Sequence, residues 1–198
     1  MNARVKSAEE KSDGSLVIRS CIASTMTLCL ALIQKFGFAP NGRCAKFAEL
    51  LHDVYRKYDS ECKATRYETK IRVMCIKIQY DVEKETGFKY KLRERRNEDS
   101  DAQDFLFMAS VLTLYRHFGF HGHGKIASEA SADVRKLLDE YNRISVQWNN
   151  FNRDMKKDML HHPGHEKEYK VNLFDWSADR LRSYGMEENV LNEKILGW

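Results

Sequence analysis

Only 2 prolines occur in this chain of 198 residues, Pro40 and Pro163. A chain that turns often between short strands needs more turn-makers, so the shortage points to an all-α fold. A disulfide framework is also missing. The 5 cysteines are Cys21, Cys29, Cys44, Cys62 and Cys75, and no two of them form a CxxC pair. An odd number of thiols without framework spacing suits a reducing, cytoplasmic setting. No stretch carries a phosphate-cradling GxxxxGK[ST], an HExxH or a GxSxG signature. The chain therefore reads as a non-enzymatic protein with no cofactor. Long apolar runs are absent too. The uncharged CIASTMTLCLALI at 21–33 is too short to cross a bilayer, so no membrane is expected as a partner.

What is present begins with charge placement. The net charge of +4 is modest, but Lys89, Lys91, Arg93, Arg95 and Arg96 crowd one stretch against Glu94 alone. Glu98, Asp99, Asp101 and Asp104 follow directly. An extended segment of this kind can lay its cations along a phosphate backbone with Tyr90 stacked on a base. The competing reading is a solvated charged linker, 89–103, whose basic and acidic halves pair.

The strongest signal is internal. Residues 31–48 and 113–130 align at a constant offset of 82 without a gap, and 7 of 18 positions are identical. Average residue usage gives about one identity by chance. The matches are Leu32/Leu114, Phe36/Phe118, Gly37/Gly119, Phe38/Phe120, Gly42/Gly124, Ala45/Ala127 and Ala48/Ala130. The alignment predicts two tandem helix-turn-helix units.

In each unit an apolar helix ends at a glycine. In the first, Ile22, Met26, Cys29, Leu30, Ile33 and Phe36 recur at helical spacing, and Gly37 supplies the left-handed position that ends the helix. Phe38 then folds back on the helix just left. Pro40 or Asn41 opens the next helix, with a stripe of Phe47, Leu50, Leu51, Val54 and Tyr58. The second unit repeats the scheme with Phe107, Val111, Leu114 and Phe118, a stop at Gly119, then Ile126, Ala130, Val134, Leu137, Leu138 and Tyr141.

A third helix is expected to close each unit. In the first, Ile71, Met74, Cys75, Ile78 and Val82 run to Gly87. In the second the stripe is Trp148, Phe151, Met155 and Met159. One such unit is a marginal fold alone, so the two are expected to pack face to face. The expected organisation is a flexible N-terminus 1–14, repeat 1 at 15–88, the linker 89–103, repeat 2 at 104–160 and a helical tail 161–198. In the tail Ser177 caps a short helix that stops at Gly185, Glu187–Leu196 forms another, and Trp176 and Trp198 anchor both.

Ala31, Leu32, Phe36, Gly37, Phe38, Gly42 and Arg43, with Leu114, Phe118, Gly119, Phe120, Gly124 and Lys125, resemble a motif in small helical proteins of phages and prophages of Gram-positive bacteria, ALxxxFGFGxxR. The resemblance covers some 20 residues per copy. It implies a phage accessory protein working in the cytoplasm of a bacterial host, and it carries over no catalytic residue.

Other constellations give weaker readings. A DNA-reading helix-turn-helix is disfavoured because the second helices carry Glu49, Asp53 and Asp59, or Glu129, Asp133, Asp139 and Glu140, which phosphates repel. Arg43 and Lys125 stand in a first helical turn, where the helix dipole disfavours cations, so an anion bound there would rationalise both. His121 and His123, with His161, His162 and His165, make a metal site only if their two loops meet, and polar loop residues are the simpler reading.

The reading that follows is a binder of a host protein or protein–nucleic-acid complex, such as an anti-CRISPR-like or anti-defence inhibitor, acting as monomer or dimer. The alternatives are a replication or regulatory factor that touches DNA or RNA, and a metal-dependent nuclease.

Overall fold

The computed structural model describes residues 21–63, 67–92, 98–120, 127–161 and 173–197, and among these every regular element is helical. Helix α1 is described over 21–36. A wide, π-type turn at Pro40–Cys44 leads into α2, Ala45–Glu61. Then come α3, Tyr67–Thr86, α4, Glu98–His117, α5, Ala127–His161, and α6, Leu173–Ser183. A last turn, α7, runs over Glu188–Val190 into Leu191–Ile195.

The core is built on α1 and α4. Every residue from Cys21 to Leu32 is buried, as is every residue from Asp104 to Leu114. A helix that is apolar all round must be wrapped by others, and these two are. Most of their buried hydroxyls return a hydrogen bond to their own helix, and Ser24 accepts the Tyr141 hydroxyl at 3.4 Å. Thr25 donates to the Cys21 carbonyl at 2.9 Å, Thr27 to Ala23 at 2.9 Å and Thr113 to Ala109 at 2.8 Å.

The outer helices cover this pair. Tyr55 and Tyr58 of α2 meet Phe105 of α4 edge-on, at 5.8 and 5.7 Å between centroids. Beside them α3 packs on α4 through Ile71, Met74, Cys75, Ile78 and Val82, all buried. Arg116 of α4 forks onto Glu85 of α3, its Nε donating at 2.9 Å. Exposed ion pairs of this kind contribute roughly 0–1 kcal/mol each, against about 1.5–3 kcal/mol for burying one large apolar side chain, so the helix faces hold the fold.

Several sequence expectations change. The second unit has no third helix, because α5 runs unbroken for 35 residues. Neither Gly nor Pro interrupts it, and Val134, Leu137, Ile144 and the half-buried Tyr141, Trp148 and Phe151 make one continuous stripe. The linker 89–103 is not all linker, since α4 begins at Glu98 and takes in the acidic block. Carboxylates favour a helix N-terminus, and in the second turn of α4 Asp104 is buried with the Tyr90 hydroxyl donating to it at 2.9 Å. Ser177 caps nothing. It lies inside α6, fully buried, with no hydrogen-bond partner for its hydroxyl.

The tail docks on α5 and on α2. Trp176 joins Trp148 and Phe151 of α5 in a triangle of rings 5.8–6.3 Å apart, and Arg180 lies 4.4 Å above Trp176. Leu191 and Ile195 are buried where the last turn meets α2. Trp198 and residues 1–14 lie outside the described residues. The five thiols form no disulfide, and all but the half-buried Cys62 are buried. No described helix is long and apolar enough to cross a membrane.

Candidate interaction surface

The two Phe-Gly-Phe turns meet at the ends of the two buried helices, α1 and α4. Gly37 has φ 63° and Gly119 φ 76°, both left-handed. Past each glycine the chain closes on itself in the same way. The Phe38 amide donates to the Leu32 carbonyl at 3.2 Å, and the Phe120 amide to Leu114 at 3.3 Å, each a reach of six residues. Gly185, also left-handed, ends α6 by a shorter reach of five, from Met186 to Leu181 at 3.0 Å. The wider closure is therefore a property of the two matched turns and not of every glycine stop in the chain.

The turns meet crosswise. Phe36 packs on Phe120 at 4.9 Å and Phe38 on Phe118 at 5.3 Å. Arg43 is exposed, with its guanidinium 4.2 Å above Phe38 and 5.8 Å from Phe118. Arg43 thus sits in the Pro40–Cys44 turn, just ahead of α2, and stacks on the paired rings of both turns. Its counterpart Lys125, with His121 and His123, lies outside the described residues.

The basic block divides. Arg93, Arg95 and Arg96 fall outside the described residues. Lys89 is exposed and sits 3.6 Å from Glu83. Lys91 is exposed at the rim of a cavity of about 270 Å³ whose walls include Phe107, Leu138 and Tyr141. Tyr90 is not presented to a base. Its ring packs on Phe107 at 5.4 Å, its hydroxyl donates to Asp104, and its carbonyl accepts the Gln79 amide at 2.7 Å. Of the remaining histidines His117 and His161 are exposed helix ends, and His162 and His165 are outside the described residues. No group of three potential metal ligands comes together among the described residues.

A second cleft lies between α2 and the last turn, lined by Glu49, His52, Asp53, Arg56, Glu193 and Lys194. Its charges pair with one another. Lys194 meets Glu49 at 2.6 Å and holds that carboxyl below its ordinary range, helped by Lys46 at 3.1 Å. Burial pushes His52 down to about 4, helped by the neighbouring Arg56 cation. This is a docking seam for the tail.

The surface that remains unaccounted for is on α3. Val73 is 44% exposed, Ile76 52% and Tyr80 65%. At i, i+3 and i+7 they form one stripe on the side of the helix away from Ile71, Met74, Cys75, Ile78 and Val82. The only other large apolar side chains this exposed among the described residues are Val146 and Tyr184, which stand singly on α5 and after α6. Cations border the stripe. Lys84 lies 5.9 Å from the Tyr80 ring, Lys77 bonds to Glu61 of α2, and Arg72 is exposed on the other side. Helical spacing predicts one core stripe on α3, Ile71 to Val82, and this second stripe lies opposite it. The available signal was a surplus, since Val73, Ile76 and Tyr80 are apolar and fit no core position. No family model, curated protein or solved structure matches this chain.

Proposed function

We propose that this chain is a non-enzymatic, phage-derived accessory protein that docks on a host protein machine through the outer face of α3 and modulates it, as an anti-defence or anti-CRISPR-like inhibitor does. One observation carries the reading. Helix α3 is apolar on two faces, and only one of them is covered. Scattered apolar residues on a surface need no explanation, but an aligned set on one helix face marks a contact site. Tandem duplication of a helix-turn-helix unit is part of the same reading. It is supported by the shared backbone setting of Gly37 and Gly119 and by the crosswise phenylalanine pairs, the arrangement two copies related by a twofold axis make.

Contact with DNA or RNA through the basic block is the weaker alternative, because Tyr90 is locked into the core side of its segment. The test is affinity capture from bacterial host lysate with the wild-type chain beside Ile76→Asp and Tyr80→Ala. A host protein retained by the wild type and released by both substitutions supports the reading. Capture that ignores both substitutions removes α3 from it.

A further inference from the structure

The border of the α3 stripe indicates what covers it, and this step rests on the docking reading above. Arg72 and Lys84 make no ion pair with a carboxylate among the described residues, and Lys84 has only the Tyr80 ring at 5.9 Å. Glu83, on the same side of α3 but about three turns further along, is already engaged by Lys89 at 3.6 Å. The face thus shows an apolar ridge flanked by cations with charge to spare.

We propose that the occupant is an acidic amphipathic helix of a protein partner, its apolar ridge laid along Val73, Ile76 and Tyr80 and its carboxylates meeting Arg72, Lys77 and Lys84. Three comparisons favour it. A neutral apolar helix desolvates those cations and gives them nothing in return. A second copy of this chain brings its own cations. An antiparallel pairing centred on the stripe sets Ile76 and Lys77 beside their own copies, so that ammonium meets ammonium at the middle of the contact. A nucleic acid supplies negative charge, but its phosphates leave Val73 and Ile76 uncovered. Helix-in-groove contacts read anchors at i, i+3 and i+7, the spacing this ridge offers. Lys77 keeps its bond to Glu61, which fixes its ammonium at the seam between α2 and α3.

The test is selection of peptides from a random, helix-biased, mRNA-displayed library on the purified full chain. The expected winners carry apolar residues at i, i+3 or i+4 and i+7 with Asp or Glu on both flanks, and they bind Ile76→Asp at least about tenfold more weakly. The double reversal Arg72→Glu/Lys84→Glu loses the same peptides and, selected afresh, returns basic ones. Winners that need Ile76 but show no acidic bias overturn this inference and leave the docking reading intact. Winners indifferent to Ile76→Asp, or a selection that enriches nothing, overturn both. A labelled duplex shifted by the wild type and released by the double reversal overturns it in favour of nucleic acid. A dimer in light scattering that Ile76→Asp dissolves overturns it in favour of self-association. Circular dichroism and melting confirm that Ile76→Asp folds, with Val73→Ser as the second variant if it does not.

Discussion

The ring of Phe36 rests 4.9 Å from that of Phe120, and Phe38 stands in the same relation to Phe118 at 5.3 Å, so each Phe-Gly-Phe gives its first ring to the other's second. This exchange joins the ends of the two central helices. Phe120 is buried and Phe36 half-buried. Phe120→Ala is expected to cost about 3–5 kcal/mol, as for a buried aromatic. Phe36→Ala should cost less, roughly 1–3 kcal/mol. Urea unfolding of both single variants and the double variant completes the cycle. A coupling of about 0.5–1.5 kcal/mol is expected for a tilted pair in contact. Strict additivity would show that the rings merely adjoin.

Gly37 and Gly119 isolate a backbone effect. A Cβ added at either meets nothing within 4 Å, so substitution there strains φ without a clash. Gly37→Ala and Gly119→Ala should each destabilise by about 1–2 kcal/mol, the cost of a left-handed L-residue, with Asn milder than Ala at both. Equal losses in chemical denaturation are the expected result. A loss at one site and none at the other would separate the two turns energetically.

The legible parts of this fold were those with local causes. Glycine stops at 37, 87, 119 and 185 all carry positive φ, where the end of an apolar stripe placed them. Tertiary causes were not legible. The chain from Glu61 to Tyr67 holds no Gly or Pro, yet α2 ends and α3 begins, while α5 runs through 35 residues of similar composition. The difference lies in packing, since α2 and α3 each lay a buried apolar face on α4, and the Lys70–Asp59 pair at 2.6 Å and the Lys77–Glu61 pair only trim the seam between them. Asp101 falls in the expected linker 89–103 and Asp104 at the first position of the expected repeat 2, and the burial of both is not legible in sequence because it depends on a partner distant in the chain, here the Tyr90 hydroxyl for Asp104. The α3 stripe was missed for the opposite reason. Apolar residues at helical spacing read as core until the structure shows which face the core takes.

His52 predicts a pH dependence. It is 8% exposed, and burial holds its folded pKa at about 4 against the ordinary 6.5. Asp53, Arg56, Glu49, Glu193 and Lys194 face the same cleft, and of these Arg56 lowers the value further while Asp53 opposes it. A group with a depressed folded pKa contributes stability that is full above the unfolded pKa. As pH falls from 6.5 to about 4 the unfolded chain takes up the proton first, and stability drops by up to roughly 3 kcal/mol. His52→Gln should flatten the urea midpoint across that window. Acid loss then begins only as Glu85 and Glu140, held below the ordinary range by Arg116 and Arg143, are protonated. A variant curve that falls as steeply as the wild type from 6.5 would assign the dependence elsewhere.

Asn41 ties the tail to the first turn. Its Nδ2 donates to the Gly185 carbonyl at 2.9 Å, and its Oδ1 accepts the Glu187 amide at 2.7 Å, across 144 and 146 positions of sequence. Both bonds are exposed, so each should contribute only about 0.5–1.5 kcal/mol. The effect of Asn41→Ala is therefore expected to be local. Helix α6 keeps its aromatic triangle with α5, and global unfolding should shift little. The segment leading into the last turn loses its tie to the Pro40–Cys44 turn, leaving the Lys194–Glu49 pair and the buried Leu191 and Ile195 to hold the last turn on α2. Amides of Leu191 and Leu196 should then exchange about tenfold faster by hydrogen–deuterium exchange, since about 1.4 kcal/mol is tenfold in a local opening equilibrium. Asn41→Asp should do no better, because it keeps the acceptor but sets a carboxylate oxygen against the Gly185 carbonyl. Unchanged protection in both variants would mean that apolar burial alone seats the tail.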